Sequence, residues 1–268
     1  MLDLDAYFAR IGYAGPRQPT LATLRELQER HAAAIPFENL DSLAGSVVRL
    51  DLESLQRKLV GRRRGGYCFE QNLLFQRVVE ALGFDVTALA ARVVWERPPA
   101  EVGPRTHMLL VVSLAEGDHL CDVGFGGLTP TAPLRLAHDA AQPTPHEPCR
   151  VVKVGGELAV EACVRGVWKP LYRFDLQAQA LIDIEVLNFY VACHSASPMK
   201  GRLLAARAVP NRRYALRDGT FSVHHLDGRH EQRALGSVAE LRGVLGEAFG
   251  IAVPAAPALD EALGRLLD

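Results

Sequence analysis

The sequence predicts an α+β fold in which helices come first, β-hairpins follow, and mixed strands and helices close the chain. Three observations carry that prediction. Apolar residues recur at helical spacing through the first third, as in Leu4, Tyr7, Phe8 and Ile11 and again in Leu21, Leu24 and Leu27. From Phe84 the period changes to short β-branched runs broken by turn residues. Near the end, Ser237-x-x-Glu240 matches a capping box that opens a last helical pair.

The elements follow in order. Gly12 ends the first helix, Thr20 is an N-cap for the second, and Pro36 bars its extension. Asp51 caps a short helix carrying Leu52, Leu55 and Leu59, closed by Gly61. A further helix over 68–82 puts Leu74, Val78 and Leu82 on one side, with Gly83 at its end. Strands are expected over 86–95, then over 107–114 and 119–123, which flank Glu116-Gly117-Asp118 and read as a hairpin. Runs 151–154, 157–164 and 167–174 are three more short strands, separated by Gly155-Gly156 and Gly166. A helix over 181–193, strands over 202–209, 213–216 and 221–226, and helices over 238–249 and 258–267 complete the reading. The Pro-rich stretch 130–148 is a long loop.

Composition narrows the function classes. The 268 residues are 49% hydrophobic and 23% charged, ordinary for a globular chain that buries a real core, and this excludes a mostly disordered one. Thirty Lys and Arg against 31 Asp and Glu give a net charge of −1, without the basic excess that nucleic-acid or anionic-membrane binding needs. The acidic start, Met1-Leu2-Asp3-Leu4-Asp5, lacks the features of a signal peptide, and no apolar run approaches a spanning helix. Five widely spaced cysteines with no C-x-x-C pair fit a reduced, cytoplasmic protein better than a disulfide framework.

Chemistry concentrates at three places. In Arg64-Gly65-Gly66-Tyr67-Cys68-Phe69-Glu70-Gln71-Asn72, two glycines able to bring backbone close to a ligand lead into a cysteine at a predicted helix start. A helix N-terminus stabilises a thiolate, which makes the sulfur a nucleophile; the alternative is a small buried apolar residue. His107 stands just inside a predicted strand, and Asp122 lies in Cys121-Asp122-Val123-Gly124-Phe125-Gly126-Gly127. An acid in an apolar strand is costly to bury unpaired, and His107 on the other arm of the hairpin is a candidate partner. Carboxylate, imidazole and thiol are the orienter, base and nucleophile of cysteine catalysis. Spacing alone does not bring Cys68 to the hairpin.

The Arg64–Asn72 block, His107 and Asp122-Val123-Gly124-Phe125-Gly126 together resemble the arylamine N-acetyltransferase family of prokaryotic type. Pro36-Phe37-Glu38-Asn39-Leu40 is similar to that family's early loop motif, and the resemblance weakens after about residue 195. It implies a cysteine-peptidase-like, three-part architecture: a helical bundle over 1–83 with the nucleophile, a β-barrel-like domain over 84–195 with His and Asp, and an α/β lid over 196–268. It further implies that Cys68, His107 and Asp122 form a triad. The implied activity is acetyl transfer from acetyl-CoA, by a ping-pong route, to arylamines, arylhydrazines and N-hydroxyarylamines. Acetyl-CoA is then a co-substrate, and no metal or permanently bound cofactor is implied. Phe37, Phe125 and Val94 match positions that pack the aryl ring, while Thr106, Gly124, Gly126 and Gly127 are candidates for coenzyme A contact. For the rings the alternative is core packing, and for the glycines it is turn geometry. Arg64 of Arg62-Arg63-Arg64 is expected in a structural role against Glu38. Ser197-Pro198-Met199 departs from the family's usual Ser-Pro-Phe near the cofactor.

Rival readings use the same residues. An amide synthase or a cysteine amidase or peptidase would need the same triad, and no sequence feature favours either. A non-catalytic binding module would not need all three residues, and a metal site made of them lacks local ligand spacing. The expected partners are a small amine or hydrazine and acetyl-CoA, with neither nucleic acid nor membrane.

Overall fold

The computed structural model describes residues 1–98, 101–136 and 139–267, so residues 137 and 138 of the Pro-rich loop and the last residue of the lid lie outside it. The first helices form where the caps dictate. Asp3 accepts the Ala6 N–H at the start of α1 (Leu4–Ile11), which Gly12 ends in the left-handed conformation. Thr20 accepts the Thr23 N–H before α2 (Leu21–Ala34), and the chain turns at Pro36 into β1 (Phe37–Glu38) and α3 (Leu40–Leu43). Asp51 caps α4 (Leu52–Leu55) through the Ser54 N–H, and the helix runs on as a π-helical stretch, Gln56–Gly61. After it comes α5 (Cys68–Ala81).

The middle strands are β2 (Asp85–Val93), β3 (Arg105–Ser113), β4 (His119–Cys121), β5 (Leu134–Arg135), β6 (Cys149–Val154), β7 (Glu157–Val164) and β8 (Val167–Phe174). They form one antiparallel sheet in the order β5-β4-β3-β2-β8-β7-β6. Gln142 draws its two edges together. Its backbone pairs with Cys149, the first residue of β6, while its side chain accepts from the Arg135 N–H and donates to the Arg135 carbonyl in β5. A nearly closed barrel results, which removes most of the exposed edge.

Then follow α6 (Leu181–Cys193), β9 (Leu204–Val209), β10 (Arg212–Arg217), β11 (Thr220–His225), β12 (His230–Ala234), α7 (Val238–Glu247) and α8 (Pro257–Gly264). The second sheet runs β1-β9-β10-β11-β12. Strand β1, from the helical third, pairs Phe37 with Ala206 and Glu38 with Ala205. The capping box at Ser237 forms in part: Ser237 accepts the Glu240 N–H, but the Glu240 carboxylate takes the Gly236 N–H.

Three apolar cores form, and each draws on more than one stretch of the chain: Met108, Leu110 and Val112 of β3 join the core of the first helices, and Leu40 and Leu43 of α3 join the one under α7 and α8. Ile184, Val191 and Ala192 of α6 are buried among the helices of the N-terminal bundle. The barrel interior holds Leu89, Leu109, Leu120, Val160 and Tyr172, and the third core lies under α7 and α8. No helix among the described residues is long and apolar enough to cross a membrane.

Candidate active site

Cys68 is the first residue of α5 and is 4% exposed. The glycines before it are there for protein, not ligand. A Cβ on Gly65 would stand 2.1 Å from the Pro36 carbonyl oxygen, and one on Gly66 would meet the Glu70 side chain at 2.8 Å. Freed of side chains, this segment lies against residues 36–38: Gly66 N–H donates to the Pro36 carbonyl and Glu38 N–H to the Gly66 carbonyl. Glu70 accepts the Tyr67 N–H at 3.1 Å, closing the first turn of the helix that presents the thiol.

A buried charge cluster braces that turn. Arg64 binds Glu38 at 2.7 Å and Asp41 at 2.9 Å, and Lys58 binds Asp41 at 2.7 Å and Glu70 at 2.6 Å. Arg64 thus takes the structural place against Glu38 expected of it. Three carboxylates meet two cations, so one acid is in excess. Burial pushes the Glu70 carboxyl up to about 7, the Lys58 ammonium only partly opposing it. Behind the turn runs a directed chain of hydrogen bonds. Tyr7 donates to Nδ1 of His31 (2.8 Å), Nε2 of His31 donates to Gln71 (2.7 Å), and Gln71 Nε2 donates to the Pro36 and Gly66 carbonyls. Burial lowers the His31 pKa to about 4 and keeps the ring neutral, against the pull of its bond to Gln71.

The β3–β4 hairpin supplies the other two groups. Leu110 pairs with Cys121, which brings His107 and Asp122 to one end. Nε2 of His107 lies 2.7 Å from Oδ2 of Asp122, both side chains fully enclosed. Burial alone would lower the His107 pKa; the Asp122 carboxylate outweighs it, and the Cys68 sulfur in contact with the ring adds to the rise. Burial likewise works against the Asp122 anion, but His107, the Gly124 N–H and the Asn72 amide hold it below the usual carboxylate range. With Nε2 bound to Asp122, Nδ1 is the ring nitrogen left for Cys68. The Cys68 thiol also lies 3.5 Å from the Thr106 carbonyl. The long-range approach that spacing could not supply is therefore present: thiol, imidazole and carboxylate stand in sequence.

These groups edge a cavity of about 1310 Å³ lined by Phe37, Cys68, Thr106, His107, Phe125 and Gly127, among others. Phe125 stands edge-on to His107 with ring centroids 5.4 Å apart. Met199 also lines it. Val94 does not; Val93 and Trp95 do, at the point where the chain leaves β2 and turns, the Val94 and Trp95 N–H groups both donating to the Leu171 carbonyl. Gly124 touches the cavity, yet its missing side chain makes room for α5, since a Cβ there would lie 2.7 Å from the Cys68 Cα. At Gly126, φ is +100°, so the backbone favours glycine, while the Phe37 ring 3.5 Å from a built Cβ is in ordinary contact. Of Gly124, Gly126 and Gly127, the last alone has nothing within 4 Å of a built Cβ.

Three polar residues of the site had no assigned role in the sequence. Asn72 and Gln28, both fully buried, bond the hairpin at Asp122, and the buried Tyr172 hydroxyl lies against the Asp122 carboxylate without a well-formed hydrogen bond. Helical spacing marks Asn72, one turn after Cys68; Gln28 and Tyr172 lie far off in sequence and carry no such signal.

Known proteins resemble this chain along most of its length. Residues 20–258 match the family model described as N-acetyltransferase. The chain is 45% identical over 256 residues to an arylamine N-acetyltransferase of Mycobacterium tuberculosis, covering 94% of this chain and 90% of that protein. It is 39% identical over 251 residues to an arylamine N-acetyltransferase / N-hydroxyarylamine O-acetyltransferase of Salmonella typhimurium, covering 93% and 89%. The solved Mycobacterium marinum arylamine N-acetyltransferase superposes with a TM-score of 0.96 at 40% identity, over 99% of this chain and 100% of that one. Its complex with CoA gives 0.95 at the same identity and coverage.

Proposed function

Because the chain belongs to the arylamine N-acetyltransferase family, an acyltransferase family using acetyl-CoA as donor, we propose that it moves the acetyl group through a thioester on Cys68 to arylamines and arylhydrazines. N-hydroxyarylamines are further acceptors, at oxygen. The observation that carries this reading is the 2.7 Å pair between His107 Nε2 and Asp122, with the opposite ring nitrogen left for Cys68 on the wall of an aromatic-edged cavity.

In the first half-reaction the Cys68 sulfur attacks the thioester carbonyl carbon of acetyl-CoA. The carbon–sulfur bond to coenzyme A breaks, and coenzyme A leaves with the proton that His107 had taken from Cys68. One thioester replaces another, so the step is close to neutral in energy. In the second, the amine nitrogen attacks the acetyl carbonyl, the bond to the Cys68 sulfur breaks, and Nδ1 of His107 accepts the amine proton. Asp122 keeps the proton on Nε2 and stabilises the imidazolium that forms. Aromatic amines are weak bases, neutral near pH 7, and arrive ready to attack. Phe37 and Phe125 hold the aryl ring and keep water from the thioester. Thr106, Gly126 and Gly127 are the coenzyme A contacts in this scheme, with Arg165 and Arg202 on the cavity wall to meet its phosphates. Residues 1–83 bring the nucleophile, 84–195 the base and the acid, and 196–268 the lid. A nucleophilic thiol among unpaired cysteines belongs in a reducing compartment, the cytoplasm.

Incubation with acetyl-CoA alone tests the scheme. It should give protein acetylated at Cys68 and only slow release of free coenzyme A. Adding a small arylamine should speed release many-fold, with N-acetyl product in equal amount and ping-pong kinetics. Release indifferent to amine would mark a hydrolase, and no acetylation of Cys68 would end the thioester reading.

A further inference from the structure

Asn72 lies one turn after Cys68 on α5 and is fully buried. Both its amide donors and its carbonyl are used on the hairpin that carries His107 and Asp122. Nδ2 donates to the Met108 carbonyl at 2.8 Å and to Oδ1 of Asp122 at 3.1 Å, and its Oδ1 accepts the Val123 N–H at 3.1 Å. One side chain therefore grips both arms of the hairpin, next to His107 on β3 and around Asp122 after β4. The Gly124 N–H gives Asp122 Oδ1 a second donor at 2.8 Å. With two donors on Oδ1, Oδ2 is the oxygen that faces His107.

We propose that Asn72 is a positioning residue of acetyl transfer, pinning the Asp122 carboxylate so that Oδ2 meets Nε2 of His107 and Nδ1 is left facing Cys68. The inference rests on the triad reading. Its physical sense is that the helix supplying the nucleophile also sets the acid that orients the base, so two distant chain segments are registered by one amide. Gln28 is the contrast. Its Nε2 bonds only backbone carbonyls, those of Asp122 at 3.3 Å and Pro130 at 2.9 Å, and so steadies the loop without touching the carboxylate.

The test compares Asn72→Ala and Asn72→Ser with Gln28→Ala. The Asn72 variants should lower kcat/KM for enzyme acetylation by about 10- to 100-fold, with KM for acetyl-CoA little changed. On an Asp122→Asn background the same substitutions should cost less than about 3-fold, because the carboxylate through which Asn72 acts is already gone. The NMR titration midpoint of His107 should fall toward the ordinary histidine range in the Asn72 variants and stay in place in Gln28→Ala. Equal losses in both backgrounds, an unmoved His107 midpoint, or failure of both Asn72 variants to fold would each overturn the proposal and make Asn72 structural. Failure of the triad reading shows separately: wild-type Cys68 would take no acetyl group, or Asp122→Asn would keep full activity, and the role of Asn72 would fall with it.

Discussion

Gly124 and Cys68 are packed backbone to backbone: a Cβ on Gly124 would stand 2.7 Å from the Cys68 Cα and 3.1 Å from its carbonyl oxygen. The hairpin end can reach the helix start only because position 124 has no side chain. That contact limits how near His107 and Asp122 come to the thiol, and the Asn72 hydrogen bonds hold the two segments in register.

Gly124→Ala should therefore separate hairpin and helix. The neighbours are main-chain atoms of Cys68 and the Asn72 amide, none able to swing aside, so destabilisation of about 1–3 kcal/mol is expected. Enzyme acetylation should fall by about 10-fold or more in folded protein, as expected of a misplaced catalytic group. Gly127→Ala, with nothing within 4 Å of the new carbon, should leave stability unchanged. Thermal melts and single-turnover acetylation check both.

Asp122→Asn should keep the fold and lose turnover by about 10³-fold or more. Oδ1 of Asp122 faces two donors, the Asn72 amide and the Gly124 N–H, so an asparagine oxygen will settle there. Its NH₂ then points at Nε2 of His107 and forces the proton onto Nδ1, the nitrogen that must receive it from Cys68. Steady-state rates with a circular-dichroism control decide the matter.

The five cysteines should label in three classes with iodoacetamide. Cys68 reacts first, as the thiol beside an imidazole at a helix start. Cys193 is exposed and Cys163 half-buried, and they follow. Cys121 and Cys149 come last, because burial pushes both thiols up, Cys149 to about 12. Prior acetyl-CoA should block Cys68 and leave Cys193 unaffected. Peptide mapping that finds Cys193 fastest would argue against an activated Cys68.

Acid should weaken the protein through His31. Burial lowers its pKa from 6.5 to about 4, against the pull of its bond to Gln71. Between those values the unfolded chain binds a proton that the native protein refuses, so stability falls as pH drops from about 6.5 toward 4, by up to about 3 kcal/mol. Urea unfolding at pH 7.5 and 5.0 should show this loss, and His31→Gln should flatten it relative to wild type.

Much of this protein was written in local sequence. The caps at Asp3, Thr20 and Asp51, the stop at Gly12 and the hairpin around Glu116-Gly117-Asp118 are decided by neighbours a few residues apart, and they form where their chemistry places them. The cysteine block and the hairpin acid were equally legible, because a thiol at a helix start and a carboxylate in an apolar strand are conspicuous anywhere. What only the tertiary structure decided involves partners far away. Strand β12 (His230–Ala234) is exposed along its length and has no alternating pattern; it is a strand because β11 offers it an edge. Phe37 and Glu38 are extended because β9, some 170 residues on, pairs with them. Val93 and Trp95 face the cavity in place of Val94 because β2 ends there in a turn held by the distant Leu171 carbonyl. The glycines at 65, 66 and 124 announced a close approach, but only the fold shows that what approaches is the chain itself. Local preferences cost little to satisfy within one segment, whereas the meeting of Cys68 with His107 depends on burying three cores at once, and no window of sequence contains that sum.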